Sequence, residues 1–230
     1  MDMEQARAPL YRLRQFMRDP IERSASAAGP CELCGEGLAE QHRHLWERSS
    51  HTVRCVCTAC SLLMSREGAG AGRYLLIPER YLLLEDFVLS DSAWNELLIP
   101  VNMAFLVRTH ADSDQRLAAF YPGPAGATES LLDESQWLPL QYDNPLLAEI
   151  RPEVEALLIQ RITAPYRYYL VPIDSCYQLV GLIRRSWRGF SGGATVWQDI
   201  NTYFETIQAK ATVWRHPSKS KGSLHARSRI

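Results

Sequence analysis

Apolar positions follow two regimes along the chain. Between residues 73 and 121 they come as short runs bounded by turn residues. Residues 73–77 and 81–84 flank Pro78-Glu79-Arg80 and read as strands of a hairpin or a buried pair, while residues 101–108 and 117–121 are strands joined by Ala111-Asp112-Ser113-Asp114. Within this region Ser90, Asp91 and Ser92 offer N-caps for a helix over 93–99 that Pro100 ends. After residue 121 the spacing becomes helical. Pro122-Gly123-Pro124-Ala125-Gly126 breaks the regular structure, and Thr128 caps a helix running through Leu131 and Leu132. Asn144-Pro145 starts a second helix and Pro152 a third over 153–161, so a helical pair is expected. Residues 166–172 return to strand character. Asp174 then caps a helix on which Cys176, Leu179, Val180, Ile183 and Trp187 share a stripe, with Arg184, Arg185 and Arg188 largely off it. Glycines from 189 to 193 stop that helix, and the last one carries Val196, Ile200, Phe204 and Ile207.

The ends differ in character. Residues 1–18 place Leu10, Leu13, Phe16 and Met17 at helical spacing among arginines, a short amphipathic helix expected to dock on the core or a partner. Residues 19–30 read as a flexible connector. From Arg215 onward there are five Lys or Arg and no acid, a composition expected to stay disordered. The organisation read from the chain is helix and connector (1–30), a zinc-ribbon-like module (31–65), an α+β domain (66–212) and a basic tail (213–230).

Composition narrows the function classes. With 46% hydrophobic residues and six tryptophans the chain can bury a sizeable core. A formal net charge of −1 argues against a global polyanion-binding role. No apolar run approaches the roughly 20 residues of a membrane span, and the N-terminus shows no basic-then-apolar signal, so the expected location is the cytoplasm.

Five of the six cysteines lie between residues 31 and 60. Cys31-Glu-Leu-Cys34-Gly35 and Cys57-Thr-Ala-Cys60 are two Cys-x-x-Cys knuckles across a short polar loop, the spacing with which four thiolates close on one tetrahedral ion. Gly35 suits a turn that aims backbone N–H groups at sulfur; Ser61 stands at the matching place in the second knuckle. Zinc is the expected metal. Iron, as a rubredoxin-like centre or a cluster, is the alternative, because the same sulfur set serves both. A disulfide is disfavoured in a reducing compartment, and no βαβ pattern supports a redox-active pair. Cys55, two residues before Cys57, would share its face on a strand and so either replace it as a ligand or sit beside the ion as a free thiol. His42, His44 and His51 are further candidate ligands, against a plain reading as polar residues of an exposed ribbon loop.

Other signals are weaker. Residues 68–73 lack the ending of a phosphate-binding loop and precede a strand, so they read as a turn. Asp133, Glu134, Asp143 and Asp174 are not placed by periodicity on one face with a histidine, and Ser191-Gly-Gly is no nucleophile elbow; a non-catalytic protein is expected. Arg184, Arg185, Trp187 and Arg188 are candidate partner-binding residues, against a reading as an exposed helical face. A nucleic-acid-binding ribbon is disfavoured because Arg43, Arg48 and Arg54 are balanced by Glu32, Glu36, Glu40 and Glu47.

Taken together, Cys-Glu-Leu-Cys-Gly, His42-Arg-His44-Leu45, Cys-Val-Cys-Thr-Ala-Cys-Ser-Leu-Leu, the stretch from Phe120 to Leu132 and the segments Leu170 to Tyr177 and Trp187 to Gly193 resemble an uncharacterised bacterial family. The resemblance covers about residues 30 to 210. That family is encoded beside high-affinity uptake nickel–iron hydrogenases. The resemblance therefore implies an accessory role in hydrogenase maturation or assembly, with a hydrogenase subunit or maturation factor as partner. It supplies a context and no mechanism. The fold expected is α+β: the small metal module packed on a mixed sheet, with helices gathered toward the C-terminal half.

Overall fold

The computed structural model describes residues 29–65, 70–111, 114–131, 134–189 and 192–215. The amphipathic helix expected over 1–18 and almost all of the connector and basic tail lie outside them.

Why a large sheet forms is clearest at its centre, where three strands are apolar on both faces. In β8 (Glu155–Gln160) Ala156 and Leu158 point into one buried layer while Leu157 and Ile159 point into the other. Its neighbours β5 (Met103–Ala111) and β9 (Arg167–Pro172) divide their side chains in the same way: Phe105 and Tyr169 go to the first layer, Leu106 and Leu170 to the second. The sheet completes itself with β4 (Leu82–Leu84), β6 (Asp114–Gly123), β7 (Gly126–Leu131) and β10 (Thr212–Trp214), in the order β10-β4-β9-β8-β5-β6-β7. Every pairing is antiparallel except β10 with β4.

Each face needs a cover. The first is closed by α4 (Ile173–Ser186) and α5 (Gly193–Lys210), whose stripes Cys176, Leu179, Ile183 and Val196, Ile200, Phe204 are all buried, as their spacing predicts. The second is closed by α2 (Asp91–Glu96), α3 (Glu134–Asp143) and a 3₁₀ turn (Pro145–Glu149), through Trp94, Trp137 and Leu147. Ser90 caps α2, its Oγ accepting the Ala93 N–H at 3.1 Å. Among the described residues no helix is long and apolar enough to cross a membrane.

A smaller antiparallel sheet carries the cysteines: β1 (Arg43–Glu47) between β2 (Thr52–Val56) and β3 (Tyr74–Leu76), with α1 (Thr58–Met64) following β2. The strand β1 joins the two bodies. Leu45 enters the small core with Cys31, Leu38, Val56 and Cys60, whereas Trp46, on the opposite face, enters the main core and stacks at 6.0 Å on Tyr177 of α4. Ion pairs fasten the joint: Arg48 Nε donates to Glu153 at 2.8 Å, and Arg80 makes a two-pronged contact at 2.9 and 2.8 Å with Glu155, whose side chain is fully buried. The α+β expectation of a cysteine module beside a mixed sheet holds.

Three local expectations do not. β3 and β4 are no hairpin: β3 pairs with β1 and β4 with β9, and Arg80 in the segment between them is held by Glu155 of the large sheet. The helix expected from Thr128 is instead β7, paired along β6 with Gly123 opposite Gly126, so the Pro-Gly-Pro-Ala-Gly run turns the chain back on itself. The helix over 153–161 is the central strand β8; a short all-apolar run looks the same whether it is a helix or a strand buried on both faces. The periodicity also missed α3, which contains Pro139, and β10, which carries regular structure to Trp214.

Since adjacent β8 residues face opposite buried layers, Leu157→Ala and Leu158→Ala should each cost about 2–5 kcal/mol, read from urea unfolding. A helix in that place would spare one of the two.

Candidate metal centre

The first knuckle is shaped by backbone hydrogen bonds. Gly35 N–H donates to Cys31 O at 2.8 Å and Cys31 N–H to Glu36 O at 2.7 Å, and Gly35 takes a φ of +76° that side chains beyond glycine rarely adopt. The knuckle is tied to β2 by Glu32, whose N–H donates to Cys55 O at 3.0 Å and whose Oε2 accepts the Cys55 N–H at 2.5 Å.

The second knuckle is built differently. β2 ends at Val56, and Cys57 is the N-cap of α1, its sulfur accepting the Cys60 N–H at 3.5 Å. Cys57-Thr-Ala-Cys60 is thus a first helical turn. Ser61 continues the helix, so no left-handed residue is needed there.

The four sulfurs of Cys31, Cys34, Cys57 and Cys60 lie within 4.8 Å of one another. Cys34 Sγ and Cys57 Sγ are 3.7 Å apart; a tetrahedron with metal–sulfur bonds of about 2.3 Å has edges of about 3.8 Å, whereas a disulfide needs about 2.05 Å. Cys31 and Cys60 are buried, Cys57 half-buried and Cys34 exposed. Their protons are held very unequally. Burial works against ionisation at Cys31, but the backbone N–H groups of Cys57, Cys34 and Leu33 around its sulfur bring the thiol down to about 6. At Cys60 burial, reinforced by the three neighbouring sulfurs, pushes the thiol far up. Four sulfurs this close are a donor set that could hold one cation, and it fits zinc or iron.

Residues 30–211 match the model of a family of unknown function, DUF5947. The chain belongs to this family. No curated protein and no solved structure matches it. The matched segment of this DUF5947 chain begins just before Cys31 and ends as α5 does, so it takes in both knuckles and the sheet that carries them.

Cys55 packs against the small core that holds Cys31 and Cys60 but is not a member of the four-sulfur set. Because the strand ends before Cys57, the two side chains part, and Cys55 turns with His44 toward α4, where the ligand atoms of His42, His44 and Cys55 lie within 4.8 Å of one another. The four-sulfur set of Cys31, Cys34, Cys57 and Cys60 comes together without Cys55, which meets the two histidines. His42 and His44 are half-buried in this second cluster, so they are no mere polar loop residues; His51 is exposed against Trp46 at 5.9 Å and belongs to neither group. Asp174, 130 residues away from His44, accepts from its Nδ1 at 2.6 Å, a pairing between distant segments that periodicity has no means of showing. Cys176 is a fully buried core thiol.

The arginine cluster sits at the other end of α4, ten residues beyond Asp174, which is about 15 Å at 1.5 Å per residue. Arg184 and Arg185 are exposed in the last turn. Arg188 is turned inward to the helix end: its Nη1 donates to Arg185 O and Trp187 O at 2.9 Å each. Trp187 donates to Gly189 O at 3.0 Å and packs against the main core.

The sequence also left unnoticed the carboxylate that locks the ribbon. Glu47, nearly fully buried, accepts from Arg54 Nε at 2.8 Å and Nη2 at 2.6 Å, from Arg73 Nε at 2.8 Å and from Ser50 at 3.0 Å. Arg54 and then Arg73 hold its carboxyl down at about 2. The stabilisation this gives is complete above the ordinary carboxylate range and disappears as pH falls toward 2.

Two outcomes follow. Cys31, Cys34, Cys57 or Cys60→Ser should each release the four-sulfur ion and loosen the ribbon, while Cys55→Ser leaves that ion bound; metal analysis after gel filtration in the presence of a chelator reads both. Loss with Cys55→Ser but retention with Cys57→Ser would reverse the ligand assignment. In thermal unfolding at matched metal content, the gap between the parent chain and Glu47→Gln should be constant from pH 7 to about 5 and close between about 4.5 and 2. A gap that stays open at pH 2 would mean the carboxylate charge is not what Glu47 contributes.

Proposed function

We propose that this chain is a non-catalytic metal-binding accessory protein that assists maturation or assembly of a nickel–iron hydrogenase, holding a hydrogenase subunit or maturation factor without turnover. The observation that carries the binding role is the four-sulfur set, two of whose members, Cys57 and Cys60, are the cap and first turn of α1; zinc is the ion we assign to it. That helix presents Leu62 and Leu63 at 56% and 57% exposure right after the ligand Cys60. Such a ribbon is a rigid handle with an apolar tip. The exposed Arg184 and Arg185 at the far end of α4 supply a second, charged contact. The hydrogenase as the partner rests on the family resemblance.

A second reading, a redox or metal-transfer protein with an iron–thiolate centre, is supported by the donor chemistry, since four thiolates hold iron as readily as zinc. A nucleic-acid-binding ribbon is weaker because its arginines are engaged: Arg43 with Glu79 at 2.5 Å, Arg48 with Glu153, and Arg54 with Glu47.

Deleting the gene should leave hydrogenase subunits synthesised but poorly processed or unassembled, as seen on native gels and by subunit maturation. Restoring the gene as Leu62→Asp/Leu63→Asp should fail to rescue although the protein keeps its ion. A deletion strain with fully assembled hydrogenase that only fails to pass electrons, or a purified protein that is red and bleached by dithionite, would transfer the case to the redox reading.

A further inference from the structure

His42, His44 and Cys55 meet where the ribbon faces α4. His44 and Cys55 are cross-strand partners on the same face of β1 and β2, and His42 comes in from the segment just before β1. The two rings meet edge to face with centroids 4.8 Å apart.

The hydrogen bonds determine what the rings can do. His44 Nδ1 is 2.6 Å from Asp174 Oδ2, and a carboxylate only accepts, so this nitrogen carries the proton. His42 Nδ1 is 3.1 Å from the carbonyl of Ala39, which also only accepts. In the neutral rings both Nε2 atoms are then bare lone pairs, yet they face each other at 3.2 Å. In those tautomers two acceptors hold such a separation only with a cation between them, and a metal ion is one; the arrangement without a cation puts the His42 proton on Nε2, donating to His44 Nε2 in place of the Ala39 carbonyl. Tetrahedral metal–nitrogen bonds of about 2.05 Å put two ligand nitrogens about 3.3 Å apart. The third donor, Cys55 Sγ, lies within 4.8 Å of a ring nitrogen of each histidine. The Nδ1 contacts are of the kind that orient metal-ligating histidines, one to a carboxylate and one to a backbone carbonyl. His42, His44 and Asp174 also line a cavity of about 350 Å³ with Tyr81, Glu79 and Lys210.

We propose that His42 Nε2, His44 Nε2 and Cys55 Sγ form a second site, for a zinc-class divalent ion, distinct from the four-sulfur centre and open at its fourth position. Binding replaces the Cys55 thiol proton, which leaves to solvent, with a metal–sulfur bond. Water or a small donor ligand from solvent completes the tetrahedron. Asp174 is a positioning residue that fixes the tautomer of His44. Three protein ligands and an open position make an ion more exchangeable than one closed in by four thiolates, so a chelator strips this site first. The assignment goes beyond the accessory role and stands independently of it.

The test uses the full chain loaded with one equivalent of zinc. Added Co²⁺ should give tetrahedral visible bands saturating at one further equivalent, with a single thiolate-to-cobalt charge-transfer band. Cys55→Ser should abolish that band, and His42→Ala should abolish or strongly weaken it, while both variants keep the original zinc. Asp174→Asn should still fill at saturating cobalt but bind about 10–100-fold more weakly. No band from a second equivalent in the unmutated chain overturns the site, and needs no variant to fold. A band unchanged in Cys55→Ser also overturns it, since another sulfur would then hold the cobalt. Loss of the original zinc in Cys31→Ser with the cobalt band intact would show that the two sites stand or fall separately.

Discussion

The architecture depends on one strand buried on two sides. β1 sends Leu45 into the small cysteine core and Trp46 into the main core, so the ribbon is continuous with the body of the protein and does not hang from it. A pleated strand makes this possible because its side chains alternate at a period of two; moving the register by one residue would exchange the two layers. The same alternation puts His44 on the Trp46 face, beside α4, and leaves the four-sulfur set on the other. Two chemically different metal-ligand groups therefore sit on either side of a single small sheet.

Charge reinforces that joint where apolar contact runs out. Glu47, Glu153 and Glu155 are buried carboxylates, each met by at least one arginine: Arg54 and Arg73, Arg48, and Arg80. Truncating one partner leaves a buried charge without its counter-ion, which is far more costly than removing the pair together. Such contacts are poor glue but good register marks, and here they mark where ribbon, linker and sheet must meet. Of the ribbon's arginines Arg48 and Arg54 are committed to these buried carboxylates and Arg43 to Glu79, which argues against a polyanion as its partner.

The two metal-ligand groups differ in what they leave open. Four thiolates complete a tetrahedron, suiting an ion that serves rigidity. Two imidazoles and one thiolate leave a position free, and a lining of polar side chains gives it surroundings in which a ligand could exchange. If the second site is filled in the cell, an accessory protein with a rigid handle would also carry an exchangeable ion, which brings the binding and metal-handling readings closer than either is by itself.

Much of this was written in the sequence wherever chemistry depends on neighbours along the chain. The paired Cys-x-x-Cys knuckles, the cap at Ser90 and the buried stripes of α4 and α5 need only spacings of two to four residues, and those spacings survive folding unchanged. What failed were segments whose local signal is degenerate. A four-residue apolar run does not declare whether it is a helix or a strand covered on both sides, which is why β8 reads as helix; a Pro-Gly run can end structure or reverse it, which is why β7 is hidden. Spacing leaves Cys55 open beside Cys57; the structure sets it opposite His44, one residue before the strand ends at Val56. The meeting of His44 with Asp174 across 130 residues, and of Glu47 with Arg73, belongs to tertiary structure alone. Contacts of that kind are fixed by which layers pack together, and no pattern along the chain encodes their distance.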